Sequence, residues 1–137
     1  MKRAGRWQGL VLLAFCIVAA WGCGKRGPKL VPVSGVVVNG GKPVPAAMVQ
    51  FSADVAGTGK EEAYDAYGHT DEQGNFSLRT LPHGEGAALG RYKVVITCYE
   101  GPGARLLPRK FTDRGTTTLT VEVKEGGLKD LKLDLSQ

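Results

Sequence analysis

From Val31 to the C-terminus, apolar and polar residues alternate in short runs, and no window of ten or more residues sustains a 3.6-residue period. A two-residue period places successive side chains on opposite faces of a strand, so each run buries one face and wets the other. The pattern predicts seven strands, near residues 31–38, 46–53, 62–70, 75–80, 91–99, 117–124 and 128–135. The clearest is RYKVVITCY: Tyr92, Val94, Ile96 and Cys98 share one face, and Lys93, Val95, Thr97 and Tyr99 the other. In the second run Val49 and Phe51 oppose Met48, Gln50 and Ser52. In the fourth, Phe76 and Leu78 oppose Ser77 and Arg79. Near the C-terminus Leu119, Val121 and Val123, then Leu131, Leu133 and Leu135, turn inward, with Lys132 and Asp134 to solvent.

Turn chemistry separates these runs. The 20 glycines and 7 prolines follow no collagen-like repeat. Asn39-Gly40-Gly41 supplies the positive φ angles of a tight hairpin. In the DEQG stretch, Asp71 can bond its own turn and Gly74 can take the left-handed conformation. Gly126-Gly127 turns the chain before the last run. Strands with one apolar face cover that face with a second sheet, so the fold class expected is an all-β sandwich. A domain spanning 31–137 is large enough to bury roughly two thirds of its unfolded surface without disulfides.

The first 22 residues have a different build. A basic start, MKRAGR, precedes the 12-residue apolar run Leu10–Trp21, and small Gly22 follows. A membrane span needs about 20 apolar residues, so the run suits the apolar core of an export signal. Of the 18 basic residues, Lys2, Arg3 and Arg6 lie in this leader; without it, 15 basic residues face 13 acidic ones, a net charge of +2. That balance gives no clustered basic face for nucleic acid. Cys16 leaves with the leader, so Cys23 and Cys98 form no disulfide framework. A Cys23–Cys98 bridge stays open on sequence grounds, because connectivity is not readable from spacing.

Ala20-Trp21-Gly22-Cys23 resembles the lipobox of bacterial lipoproteins, with Ala20 where leucine is usual and Trp21 where a small residue is common. The resemblance implies that Cys23 becomes the first mature residue and carries a diacylglycerol. Each buried methylene contributes about 0.8 kcal/mol, and two chains make a stable anchor. Signal cleavage without lipid, leaving a free thiol, is the alternative. Residues 1–22 are then a signal peptide, 23–30 a tether whose GKRGPK cations can lie against anionic headgroups, and 31–137 the exported domain. Gly24 is not the aspartate of an inner-membrane retention signal.

The exported part also resembles a family. VSGVVVNGGKPVPAAMVQF, GHTDEQGNFSL and LGRYKVVIT follow the order of carboxypeptidase regulatory-like, transthyretin-like domains, and LLPRKFTDRGTTTLTVEVKEG resembles the end of a bacterial lipoprotein subgroup carrying one such domain. The resemblance implies a single seven-stranded Greek-key β-sandwich and no defined activity. Tyr92 would pack its ring inside and cap a loop with its hydroxyl, and Pro108 and Phe111 would pin the long loop.

Chemistry-bearing residues are sparse. His69, Asp71, His83 and Cys98 could ligate a metal, but their spacing matches no zinc or H-E-x-x-H pattern, so neither metal nor cofactor is expected. Cys98 reads as a small buried hydrophobe. DEQGN lacks the carboxylate spacing of a calcium loop, and GEGAALG runs into a strand, not a phosphate-cradling helix. No nucleophile elbow is present, and LKLDLSQ lacks the C-terminal Tyr-Arg-Gly-Ser of transthyretin-like hydrolases. No catalytic residue is expected.

The function expected is therefore a non-catalytic module held at the bacterial cell envelope by lipid on Cys23. Its partner would be an envelope protein or a polysaccharide, and not nucleic acid. The long loop from Gly101 to Thr117 offers Arg105, Arg109, Lys110 and Arg114 as a contact surface. A carbohydrate-binding module is the alternative, with Tyr64, Tyr67 and Tyr99 as its aromatic set. A small hydrolase is a third reading.

Overall fold

A computed structural model describes residues 27–54 and 63–137. The leader, Cys23 and the start of the tether lie outside the described residues. The described chain is all-β, with one short helix and one 3-10 turn. Its strands are β1 (Leu30–Val31), β2 (Val33–Asn39), β3 (Lys42–Pro43), β4 (Met48–Ala53), β5 (Ala66–His69), β6 (Asn75–Ser77), β7 (Arg79–Thr80), β8 (Gly84–Glu85), β9 (Ala87–Ala88), β10 (Gly90–Thr97), β11 (Thr120–Val123) and β12 (Leu128–Asp134). Helix α1 covers Pro102–Leu106, and the 3-10 turn covers Arg109–Phe111. No helix among the described residues is long and apolar enough to cross a membrane.

Six strands form one sheet in the order β11-β10-β4-β5-β7-β8. A second sheet runs β12-β2-β3, with β6 also on β2. Strands β1 and β9 make a small separate pair. The two larger sheets share one apolar core, in which Val37, Val49, Phe51, Val94, Ile96 and Phe111 are fully buried. The predicted alternation is visible in it. Phe76 and Leu78 are buried while Ser77 and Arg79 are exposed; Leu133 and Leu135 are buried while Lys132 is exposed. On β10, Val95 is buried on the face opposite Tyr92 as well.

Two turns form as their residues require. Gly40 (φ +59°) and Gly41 (φ +82°) close the β2–β3 hairpin, with Asn39 opposite Lys42. The Asp71 carboxylate accepts from the amides of Gln73 (2.9 Å) and Asn75 (2.8 Å). Gly74 follows at φ +78°, where a Cβ would stand 2.6 Å from the Val37 carbonyl oxygen. Tyr92 is buried, and its hydroxyl donates to the Ala88 carbonyl.

Several connections differ from the sequence reading. The predicted strand 75–80 divides at Leu78: β6 joins β2 in one sheet, and β7 joins β5 in the other. The buried Leu78 side chain sits between them, and its amide bonds the Val33 carbonyl at 2.9 Å. The β4 strand does not pair with the first hairpin but lies between β10 and β5. Only residues 66–69 of the predicted third strand are extended, and part of that run lies outside the described residues. After the Gly126-Gly127 turn the chain crosses to the other sheet, where β12 runs parallel to β2. Leu30, expected in the tether, already pairs with Ala88.

Candidate functional site

The domain has two poles. At one, the chain enters: Leu30 and Val31 pair with Ala88 and Ala87, and the Lys29 ammonium meets the Glu125 carboxylate at 2.8 Å. There the Lys29 hydrogen bond and charge hold the exposed Glu125 carboxyl below its usual range. Strand β2 starts here, beside the Gly127 turn. It is seven residues long and ends at Asn39, and at about 3.3 Å per step that is roughly 20 Å away. In the other sheet, strand β10 runs from Gly90, close to the Ala88 that pairs with Leu30, to Thr97 near the far pole.

The far pole holds an open hollow of about 780 Å³, built where three segments meet. Lys42 comes from β3, just past the Gly-Gly hairpin. Tyr99 and Glu100 come from the chain leaving β10. Pro102, Arg105 and Leu106 come from α1. Two contacts lock these segments together. The Asn39 side-chain amide donates to the Leu106 carbonyl. Gly103 is buried so close to Pro45 that a Cβ would stand 2.2 Å from its carbonyl oxygen. The half-buried Cys98 thiol sits beneath, facing the carbonyls of Ala46 (3.4 Å) and Glu100 (3.2 Å). It lies just past β10, not within it, and has no disulfide partner among the described residues.

Alternation past β10 then throws Tyr99 outward. It is 87% exposed, while Tyr92 on the same segment is 2% exposed. An exposed ring costs hydration that a bound apolar surface recovers. Beside it stand two cations, Lys42 and Arg105, and one carboxylate, Glu100. Among the described residues none of these three charges takes part in an ion pair. The arrangement can stack a flat ligand and pair with negative charge on it.

Of the four basic residues named from sequence, one lines the hollow and three do not. Arg105 belongs to the hollow. Arg109 and Lys110 are exposed on the 3-10 turn, where the Lys110 ammonium lies 4.8 Å from the Phe111 ring centroid and donates to the Gln137 carbonyl. Arg114 donates to the Ala53 carbonyl at 3.0 Å. Phe111 is fully buried, so it does pin the loop. The tyrosine set is likewise separated. Tyr64 meets the His83 ring edge-on at 5.1 Å. Tyr67 lies in β5 opposite Gln50 and Arg79. Neither lines the hollow that Tyr99 lines. His69 is exposed at the end of β5, and Asp71 is used by its own turn. Among the described residues no three His, Cys, Asp or Glu side chains gather as a metal site. The sequence reading missed Lys42 and Glu100; no local pattern ties Lys42, past the Asn39-Gly40-Gly41 turn, to Tyr99.

No protein-family model matches the chain, and no curated protein or solved structure shows significant similarity to it.

Proposed function

We propose that the chain is a non-catalytic lipoprotein of the bacterial cell envelope. Lipid on Cys23 anchors it, and a seven-stranded Greek-key sandwich of transthyretin-like type serves as its interaction module. The observation that carries this reading is the order of basic start, 12-residue apolar run, Gly22 and Cys23. A run that short makes a poor permanent span, and a cysteine behind a small residue is where lipid would replace it. The order of the domain motifs and the single core shared by two sheets support the sandwich.

The domain geometry fits such an anchor. The chain enters at the pole fixed by Leu30 and Lys29, and the hollow opens at the other. A tether from Cys23 would therefore hold the hollow away from the bilayer. Metabolic labelling with a clickable palmitate tests the anchor. Label on the wild type that disappears in Cys23→Ala supports it, and an unlabelled wild type removes it.

Carbohydrate contact is the second reading, and one observation favours it: Tyr99 is the most exposed large apolar side chain among the described residues and stands in a hollow. The aromatic surface is then Tyr99 alone, not the three tyrosines together.

A further inference from the structure

We infer that the hollow at the far pole binds acidic sugar units, the carboxylate-bearing rings of an anionic polysaccharide. This deepens the carbohydrate reading of the same site and rests on it. Three features of the hollow choose this ligand class.

The first is the ring. Tyr99 stands two residues past the end of β10, between Cys98 and Glu100, whose carbonyl accepts from the Cys98 thiol. A tyrosine ring has only two side-chain torsions to lose on binding, and its face suits the C–H face of a pyranose. The second is charge. Lys42 and Arg105 line the same hollow as the ring, without an ion-pair partner among the described residues. Arg105 can grip a carboxylate with two parallel N–H bonds, and Lys42 adds a point charge. A neutral sugar would leave both cations unused. The third is Glu100, which can accept from sugar hydroxyls. A purely electrostatic site for any polyanion would do better without it. The acidic peptide alternative matches the two cations but leaves the exposed ring and Glu100 without a task. The smaller groove of about 290 Å³ between β2 and β6 lacks this combination; its charged residue is Asp130 and its aromatic, Phe76, is buried.

The test is a titration of the full chain in detergent with oligogalacturonate, its methyl-esterified form and poly-glutamate. The expected result is binding of the acid form, with little binding of the ester. Tyr99→Ala should weaken it about tenfold, the factor that about 1.4 kcal/mol represents. Arg105→Gln and Lys42→Gln should each weaken it severalfold, and Lys132→Gln on β12, with the same charge change, should not. All four positions are exposed, and coincident thermal melts would show that the variants fold. Equal binding of acid and ester overturns the role of charge. Binding of poly-glutamate that Tyr99→Ala leaves intact overturns the sugar. No binding of oligogalacturonate overturns the site outright. Palmitate labelling reads the anchor separately, so failure here and failure of the lipoprotein reading are told apart.

Discussion

The Tyr92 hydroxyl donates to the carbonyl of Ala88, four residues upstream and 2.7 Å away, while its ring packs 5.7 Å from that of Phe51. One side chain thus ties the loop entering β10 to the core. Burial, with the nearby Asp65 charge adding to it, pushes the phenol up to about 12.

Tyr92→Phe keeps the ring and removes the bond, leaving the Ala88 carbonyl without this donor. The expected cost is about 1 kcal/mol in urea unfolding at neutral pH. A second signature lies at alkaline pH. The folded state holds the phenolic proton more tightly than the unfolded chain, so stability from this group is complete below pH ~10 and lost as pH rises toward ~12, about 2–3 kcal/mol in all. The phenylalanine variant should lose less stability than the wild type over that window. Parallel decline of the two would contradict the placement of Tyr92.

Gly35→Ala should be more damaging than its size suggests. Gly35 lies opposite Leu131 where the parallel β2–β12 register shifts, and an added Cβ would stand 2.0 Å from the Leu131 carbonyl oxygen. Backbone must move, at a cost of roughly 3 kcal/mol. For a domain of this size that lowers the thermal midpoint by more than about 10 °C. An unchanged midpoint would show that β12 does not pair here.

Asp71→Ala removes one acceptor shared by two backbone amides, those of Gln73 and Asn75. The turn is exposed, so the cost should be about 1 kcal/mol. Asp71→Asn keeps an equivalent oxygen and should restore most of it. If asparagine is as costly as alanine, charge and not the turn explains the loss.

Local features of this chain were readable because local chemistry determines them. Gly40-Gly41 made its hairpin, Asp71 and Gly74 made their turn, and Phe76, Leu78, Leu133 and Leu135 faced inward as period-two alternation requires. Partner choice was not readable. Period-two alternation is the same whichever sheet a strand joins, so nothing marked Leu78 as the point where the chain changes sheets, or β12 as parallel to β2. Helix α1 spans five residues, too short to show a helical period. The hollow was legible only in pieces. Arg105 and Tyr99 were each singled out, for different surfaces, and only the fold brings them beside Lys42.

Mass spectrometry of the amino-terminal peptide of the native protein tests the central claim most directly. The predicted peptide begins at Cys23 and carries the added mass of two or three acyl chains. A peptide that begins at Met1, or an unmodified terminus at or beyond Cys23, would contradict it.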